Sequence, residues 1–355
     1  MNARIETIFP DISEWAIGNT RFAHVWTHQA DAPGPHVCVN ALVHGNEVCG
    51  AIAADWLLRE LAAGLRPVRG TLSVAFANVD AYQSFNVNKP FNSRCVEEDF
   101  NRLWDEATLD GNRNSRELRR ARELRPFYDT VDHLLDLHSM LEPAPPMSLA
   151  GDTERGLVLA RALGVPEHIL VDSGHAAGKR LRDYAGFGDA LSAKSAVLIE
   201  CGQHWERAVG DVAKQVTLRF LQHFHVLDSA WIATHLNAAA LAPQRVVDIS
   251  TVVTCVNADF RWIRPVRGLE VIADAGTLLA MDGERAVRTP HADAVMVMPV
   301  PYPKVGQTAV RIGRFRGPSF AIKIVDTVRA ELVEASAPLH QGFDELSANG
   351  KLERQ

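Results

Sequence analysis

The sequence predicts an α/β fold with a smaller all-β part at the C-terminus, and three observations support this prediction. Apolar runs typical of buried strands alternate with segments of helical periodicity between residues 36 and 227, as expected for a largely parallel sheet covered by helices. From about Pro243 onward, short Val- and Ile-rich runs separated by Gly and Pro replace the helical pattern. The length of 355 residues suits one large domain and one small one.

The individual elements follow from periodicity and from the residues that end each pattern. The segment over 48–65 has apolar residues at helical spacing and ends with Gly64 and then Pro67, which predicts a helix. Residues 78–101 are rich in Asn, Pro and Ser, and a loop of this length is usually functional or disordered. On the same criteria, strands are predicted over 21–30, 36–43, 71–77, 132–138, 168–172 and 195–200, and further helices over 115–125, 153–163 and 206–227.

The change of pattern near residue 243 also sets the predicted domain boundaries. We predict a main domain over 1–242, a small β domain over 243–335 and a polar tail over 336–355. Within the β domain, Asp282-Gly283 is typical of a hairpin turn. The tail is assigned from its polarity and its terminal position.

Composition and charge restrict the classes of partner. The formal net charge of -6 disfavours binding to nucleic acid or to an anionic membrane. No apolar run approaches the length of a membrane span, and the first residues lack the build of a signal peptide. Five scattered cysteines without a CxxC pair are typical of reduced thiols, so a cytoplasmic location is expected. The oligomeric state stays open, a homo-oligomer included.

A candidate metal site lies where the second predicted strand meets the first helix. The motif HGNE places His44 and Glu47 three residues apart on one side of a turn. With 14 histidines in the chain, about one HxxE pair is expected by chance, so the motif needs further ligands nearby. His138 ends another predicted strand, and the carboxyl ends of parallel strands share a crevice. These residues match the open His, Glu, His set of catalytic zinc, with a core histidine at 138 as the alternative.

Two further groups of polar residues belong to the candidate site. In the long loop, Arg94, Asn101 and Arg102 suit a carboxylate ligand, because guanidinium and amide groups donate to its oxygens. Asp99 suits the free N–H of a zinc-bound histidine, and the alternative is a loop that its own polar groups stabilise. Glu200 closes an apolar strand, where burial raises its pKa toward that of a general base. An ion pair with an arginine is the alternative for Glu200.

The order and spacing of these motifs resemble a known family. HGNE, R-x4-DFNR, DLH and a strand ending in IECG follow one another across residues 36–205. This arrangement resembles the succinylglutamate desuccinylase/aspartoacylase family, relatives of the zinc carboxypeptidases. The resemblance implies a three-layer α/β/α zinc carboxypeptidase-like catalytic domain, a smaller C-terminal β domain and one zinc ion per chain. His44, Glu47 and His138 match the family's zinc ligands, and Asp99 matches the partner of the first histidine.

The same resemblance implies hydrolysis of a small molecule that carries a carboxylate. Glu200 matches the general base that activates the zinc-bound water, and Arg94 matches the arginine that polarises the scissile carbonyl. Asn101 and Arg102 match the pair that holds the substrate carboxylate. The implied activity is removal of an acetyl, succinyl or similar acyl group from an N-acylated amino acid, by attack of the zinc-bound water on the amide.

Departures from the family pattern leave the substrate open. Aspartoacylases carry a further substrate-binding arginine shortly before the base, where this chain has Ala190 and, nearby, Lys194. Residues 201–204 read CGQH in place of the Gly-Pro run of that branch. Tyr302 is a candidate for a contact from the β domain. Two other functions stay open: a metallocarboxypeptidase acting on short peptides, and a non-catalytic binding protein on the same scaffold.

Overall fold

The computed structural model describes residues 4–174 and 177–317. The predicted tail over 336–355 and the end of the predicted β domain, 318–335, lie outside the described residues. The strands are β1 (Val25–Gln29), β2 (His36–Ala41), β3 (Thr71–Phe76), β4 (His133–Met140), β5 (Met147–Leu149), β6 (His168–Val171), β7 (Ser195–Gln203), β8 (Arg245–Thr254), β9 (Arg261–Trp262), β10 (Val271–Ile272), β11 (Leu278–Asp282), β12 (Arg285–Arg288), β13 (Ala294–Val297) and β14 (Thr308–Phe315). The α-helices are α1 (Val48–Ala62), α2 (Val79–Gln83), α3 (Glu106–Asp110), α4 (Arg116–Tyr128), α5 (Glu154–Leu163), α6 (Val209–His223) and α7 (Ser229–His235).

One large sheet runs through the molecule. Over the described ranges it contains eleven strands in the order β1-β3-β2-β4-β7-β5-β6-β8-β14-β13-β10. β2 is parallel to β3 and β4, and β4 is parallel to β7, so the carboxyl ends of these strands lie at one edge. β5 is antiparallel to β7 and parallel to β6, and the direction of the sheet therefore reverses at β5.

Helices cover both faces of this sheet. On one face, α1, α5 and α6 pack over an apolar cluster that contains Leu57, Leu135 and Phe220. On the other face, α4 packs over a second cluster that contains Leu124 and Leu134. The adjacent residues 134 and 135 of β4 enter different clusters because successive side chains of a strand point to opposite faces. The predicted α/β/α layering is confirmed.

The C-terminal strands extend the same sheet. β14 is antiparallel to β8 and β13, and β13 is antiparallel to β10, while β9, β11 and β12 form a separate three-stranded sheet. The antiparallel strand region predicted after Pro243 is therefore confirmed. Gly283, at a φ of 63°, lies in the turn between β11 and β12, where a left-handed backbone favours glycine. β8 is hydrogen-bonded to β6, and a domain boundary at residue 243 stays a prediction.

The helices and cysteines bear on two expectations from composition. Among the residues with a described placement, no helix has both the length and the apolar character needed to cross a bilayer. The five cysteines are free, in line with their scattered positions. Cys49 and Cys201 are buried near the strand ends, where the Cys49 thiol donates to the carbonyl of His138 at 3.1 Å.

Candidate active site

The three predicted metal ligands meet at the carboxyl edge of the sheet. His44 follows β2, Glu47 immediately precedes α1, and His138 lies near the end of β4. All three side chains are buried, and their ligand atoms lie within 4.8 Å of one another. Neighbouring parallel strands thus bring together side chains that are far apart in sequence.

The tight turn after β2 depends on Gly45. A Cβ atom at this position would lie 2.2 Å from the carbonyl carbon of Ala81 and 2.3 Å from the backbone nitrogen of Tyr82. The Gly45 amide also donates to the carbonyl of Arg94 at 3.2 Å. Glycine therefore lets the ligand-bearing turn pack directly against α2 and against the long loop.

Glu47 stands between the two imidazoles. Its Oε1 lies 2.7 Å from Nδ1 of His44, and its Oε2 lies 2.8 Å from Nδ1 of His138. The other nitrogen of each ring faces a carboxylate: Asp99 Oδ1 lies 2.9 Å from His44 Nε2, and Asp136 Oδ2 lies 2.9 Å from His138 Nε2. A neutral imidazole that donates through Nε2 presents a lone pair at Nδ1. The lone pairs of both rings and of Glu47 therefore converge on one small volume.

This convergence of lone pairs fits a cation, and the donor set fits zinc. Two imidazole nitrogens and one carboxylate are the protein ligands of many catalytic zinc sites. Burial alone would raise the pKa of Glu47, but His44 and His138 hold this pKa well below its ordinary value. Burial alone would lower the pKa of His138, but Asp136 and Glu47 raise it well above its ordinary value. The carboxylates around His138 therefore favour positive charge at this ring, and Glu47 is held in its ionised form, which is the form that binds a metal.

Sequence reasoning missed Asp136, which the structure places behind His138. The Asp136 carboxylate is fully buried, and its Oδ1 accepts from Asn40 Nδ2 at 2.8 Å. Asn40 in turn accepts from the hydroxyl of Tyr128 at 2.8 Å. The available signal was the spacing D-x-H on a strand, because residues two apart face the same side of a sheet.

We expect Asp136→Asn to weaken zinc binding by about 10- to 100-fold. The carboxylate accepts from Asn40 Nδ2 and places negative charge 2.9 Å from His138 Nε2, whereas an amide is neutral and must place its NH2 group against one of these two nitrogens. Competition with a chromophoric zinc chelator measures the affinity, and Asp152→Asn, at an exposed position, is the control. Equal zinc affinity in Asp136→Asn and wild type would mean that this carboxylate does not orient the histidine.

The long loop brings Arg94 and Asp99 to the ligands. Arg94 donates from Nη1 to Glu47 Oε1 at 3.3 Å and from Nη2 to Asp99 Oδ2 at 2.9 Å. The buried carboxylate of Glu117, at the start of α4, accepts from the backbone amides of residues 96–98. α4 therefore anchors the loop between Arg94 and Asp99.

Asn101 and Arg102 lie further along the same loop and line the same cavity as the ligands. Asn101 Oδ1 accepts from the Leu181 amide at 2.9 Å, and Arg102 donates to the Asn101 carbonyl at 2.6 Å. Burial and nearby guanidinium groups lower the pKa of Arg102 to about 10, although Asp99 opposes them. These surroundings favour an anionic ligand next to Arg102.

Glu200 lies beside His138 on the neighbouring strand, since these two residues are cross-strand partners of β4 and β7. The Glu200 side chain is buried, and its Oε2 has no hydrogen-bond partner within the described part of the chain. Burial, together with the negative charge of Glu47, raises the pKa of Glu200 to about 8. The sequence left two roles open for Glu200, a general base or one member of an ion pair with an arginine. Because the carboxylate is unpaired and lies next to the ligands, the role in proton transfer is favoured.

The ligands and Glu200 line one cavity of about 680 Å³. Its walls include residues 139–144, at and after the end of β4, and residues 298–300 and Tyr302 of the C-terminal strand region. His204 also lines it: Nδ1 lies 2.9 Å from Ser139 Oγ, and burial lowers the His204 pKa to about 4. Sequence reasoning missed several polar residues of this wall that are in no recognisable motif, among them Arg180, His204 and Arg311.

Of three further positions that the sequence singled out, two are not part of the cavity wall and one lies at its rim. Lys194 donates to the carbonyl of Asp129 at 2.6 Å and is not part of the cavity wall. Ala190 is exposed. Tyr302 belongs to the cavity wall but is 79% exposed, so it lies at the rim. The cavity therefore draws its remaining guanidinium groups from segments other than the one around residue 190.

Comparison with known families classifies the chain. The model of the succinylglutamate desuccinylase/aspartoacylase catalytic domain matches residues 33–225, which is more than half of the sequence. The chain belongs to this family. The match confirms the resemblance predicted from the four motifs, and it spans every predicted site residue from His44 to Glu200. Members of the succinylglutamate desuccinylase/aspartoacylase family are hydrolase-type deacylases, which supports an enzymatic role for this member.

Several solved structures share the fold of this chain at low sequence identity. A succinylglutamate desuccinylase from Vibrio parahaemolyticus is 17% identical, with a TM-score of 0.63 and coverage of 83% of this chain and 87% of that chain. The enzyme from Vibrio cholerae is 18% identical, with a TM-score of 0.63 and coverage of 82% and 85%. The ectoine utilization protein EutE (DoeB) from Ruegeria pomeroyi, solved with bound product, is 17% identical, with a TM-score of 0.57 and coverage of 82% and 87%. No curated protein matches the sequence.

Proposed function

We propose that this protein is a zinc-dependent hydrolase that removes an acyl group, such as acetyl or succinyl, from a small N-acylated amino acid. The observation that carries the proposal is the convergence of His44, Glu47 and His138 beside a buried, unpaired Glu200. Membership of a deacylase family supports the acyl-transfer chemistry. The five free cysteines support the cytoplasmic location expected from composition.

The metal ligands and Glu200 have separate roles in the activation of the attacking water. His44, Glu47 and His138 would hold a zinc ion, and such an ion, when bound, would acidify a water molecule and polarise the carbonyl oxygen of the substrate. Glu200 takes the proton of the attacking water and later delivers it to the leaving amine. The absence of a competing partner at Oε2, as far as the chain is described, leaves that oxygen free for the transfer.

Arginine and amide groups of the long loop orient the substrate and stabilise developing charge. Arg94 already contacts Glu47 at 3.3 Å, so its guanidinium is placed to donate to the carbonyl oxygen as negative charge builds there. Asn101 and Arg102 bind the substrate carboxylate, which fixes the scissile amide relative to the ligands. A small carboxylate-bearing molecule is therefore the partner that this site suits.

The two other candidate functions make different demands on the cavity. A metallocarboxypeptidase must admit a peptide chain, whereas a cavity of about 680 Å³ lined by residues 139–144, 298–300 and Tyr302 favours a small substrate. A binding protein gains nothing from an unpaired glutamate buried beside the ligands, because burial of such a group costs stability. Both observations favour the deacylase.

A hydrolysis screen with and without zinc tests the proposal. Zinc-loaded and chelator-treated protein is assayed on N-acetyl and N-succinyl amino acids and on C-terminally varied dipeptides. We expect the zinc-loaded protein to hydrolyse N-acyl amino acids, with activity lost on chelation, restored by added zinc, and about one zinc bound per chain. Turnover of dipeptides alone would favour the carboxypeptidase. Protein with neither zinc nor turnover would favour the binding function.

A further inference from the structure

His204 is a buried side chain of the cavity wall that the proposed mechanism does not use. It directly follows β7, is 2% exposed and lines the same cavity as the metal ligands. Its Nδ1 lies 2.9 Å from Ser139 Oγ, whereas Nε2 has no hydrogen-bond partner within residues 4–174 and 177–317. This nitrogen is not one of the polar atoms that the protein seals from solvent without a partner, so it keeps access to the cavity.

The hydrogen bond at Nδ1 decides which nitrogen of the ring carries the proton. Ser139 Oγ has no other acceptor in the described part of the chain, so its O–H donates to Nδ1, which must then present a lone pair. Burial lowers the pKa of His204 to about 4, and the ring is therefore neutral at pH 7, with its one proton on Nε2. His204 thus presents a neutral N–H donor to the cavity.

This donor is held in a fixed position. The indole ring of Trp205 packs against the imidazole with a centroid distance of 5.4 Å, and Trp205 Nε1 donates to the carbonyl of Asn46 at 3.1 Å. On the other side, the backbone amide of Ser139 donates to Glu47 Oε2 at 3.2 Å, which ties the partner of Nδ1 to a metal ligand. A donor that is already in place loses little conformational entropy when it binds a ligand.

The sites of Arg102 and His204 lie on different faces of the sheet. Leu103 and Leu181, which adjoin the Asn101–Arg102 segment, belong to the apolar cluster under α4. Trp205, next to His204, belongs to the cluster under α1, α5 and α6. The metal ligands lie at the strand ends between these two faces. Accordingly, besides burial, the charges of the metal ligands and of Arg94 act on the pKa of His204, whereas Asp99 and three other arginines act on that of Arg102.

This arrangement places the acyl group of a bound substrate on the His204 side. The substrate carboxylate is proposed to bind at Asn101 and Arg102, and the scissile amide lies at the ligands. In an N-acyl amino acid the carboxylate and the acyl chain lie on opposite sides of the amide bond. A substrate fixed at Arg102 and at the ligands therefore continues toward His204.

We propose that Nε2–H of His204 donates a hydrogen bond to an uncharged oxygen of the acyl group, other than the scissile carbonyl oxygen. This inference rests on the proposed deacylase function and narrows its substrate class to N-acylated amino acids with a hydroxyl or keto group on the acyl chain. A neutral N–H donor suits an uncharged oxygen, whereas a guanidinium group is the better match for a carboxylate.

Acyl groups of similar size that differ in one oxygen test this hydrogen bond. N-butyryl, N-(3-hydroxybutyryl) and N-acetoacetyl derivatives are compared on the amino acid that the hydrolysis screen favours, and N-propionyl with N-lactoyl for an oxygen one carbon nearer the amide. Each ratio of kcat/KM is divided by the ratio of the alkaline hydrolysis rates, because an oxygen substituent also activates the amide. We expect the zinc-loaded wild type to favour an oxygenated member by about 3- to 10-fold, as for a neutral hydrogen bond. Corrected ratios of about one in every pair would overturn the inference.

Variants at position 204 assign the preference to the imidazole. His204→Phe keeps a ring without nitrogen and should bring the corrected ratio to about one. His204→Gln keeps an N–H donor near the position of Nε2 and should retain part of the preference. His223→Phe replaces an exposed histidine of α6 and should leave the preference as in the wild type. A preference that survives in His204→Phe, or a larger preference for an N-succinyl substrate that His204→Phe does not alter, would assign acyl recognition to other groups.

Zinc content separates recognition of the substrate from support of the ligands. His204→Phe and His204→Gln should each keep about one zinc per chain, since neither exchange alters a ligand side chain. If both variants lose zinc, His204 supports the metal site rather than the substrate, and the inference falls.

Binding without turnover distinguishes failure of this inference from failure of the deacylase proposal. 3-Hydroxybutyrate should raise the melting temperature of the zinc-loaded wild type more than butyrate at equal concentration, and this difference should disappear in His204→Phe. If no amide is hydrolysed while the His204-dependent difference persists, recognition by His204 stands and the deacylase proposal falls. If all acyl groups are hydrolysed alike and both acids protect equally, recognition by His204 falls and the deacylase proposal stands.

Discussion

Replacing Glu200 with glutamine should lower kcat by about 10²- to 10⁴-fold, the usual contribution of a general base. Glutamine keeps the shape of the side chain but cannot take up the proton of the attacking water. Because Oε2 of Glu200 has no hydrogen-bond partner in the described chain, the exchange removes no hydrogen bond at that atom. The three ligand side chains are unchanged, so zinc content, measured by elemental analysis, should stay at about one per chain.

The melting temperature of Glu200→Gln serves as the control for folding, and the pKa of Glu200 predicts how it should change. Burial raises this pKa from an ordinary value of 4.5 to about 8, so the stability that the protonated group contributes is lost as the pH rises from about 4.5 through about 8. Glutamine carries no charge, and the metal-free variant should therefore melt no lower than the wild type at pH 7. Glu206→Gln, at an exposed position, should match the wild type in both assays. Wild-type kcat in a zinc-loaded Glu200→Gln protein would assign the base to another group.

The positions of the candidate ligands were predictable because simple geometry brings them together. His44 and Glu47 lie three residues apart at a strand–helix junction, where local geometry alone places them on one side. His138 and Glu200 required one further rule, that parallel strands present their carboxyl ends at the same edge of a sheet. In the structure these two residues are cross-strand partners, so they lie directly beside each other on neighbouring strands.

The short elements were not predictable, because periodicity needs more residues than they contain. α2 and the 3₁₀ turn Pro90–Arg94 both lie inside the segment predicted as a loop over 78–101. β5 has three residues and is placed by its antiparallel pairing with β7. These contacts are tertiary, and tertiary contacts determine structure that local propensity does not specify.

The arginines of the cavity wall could not be predicted from the sequence, for a related reason. The strand β14 reads TAVRIGRF and contains both Arg311 and Arg314, and nothing in these letters says which arginine is buried. The register of β14 against β8 and β13 decides this, since a slip of one residue would exchange the two faces of the strand. Asp172 and Arg180 likewise meet through the path of the chain after β6 rather than through a motif.

Arg94→Met should lower kcat by about 10²- to 10³-fold, equivalent to about 3 kcal/mol of barrier, with little change in KM. This split is expected because Arg94 is proposed to donate to an oxygen that becomes charged only in the transition state. The backbone on either side of Arg94 is held independently of its side chain, by the Gly45 amide and by the Glu117 carboxylate. The truncation should therefore leave the loop in place.

Zinc content shows whether the lost activity belongs to Arg94 itself. Its guanidinium lies 3.3 Å from Glu47, and removing a positive charge beside a metal ligand should strengthen zinc binding rather than weaken it. Arg94→Lys should restore part of kcat, since it keeps the charge but not the fork. Arg113→Met removes an arginine that pairs with Glu98 at 3.1 Å outside the cavity and should leave kcat unchanged. A raised KM with unchanged kcat in Arg94→Met would instead make Arg94 a group that binds substrate and transition state equally.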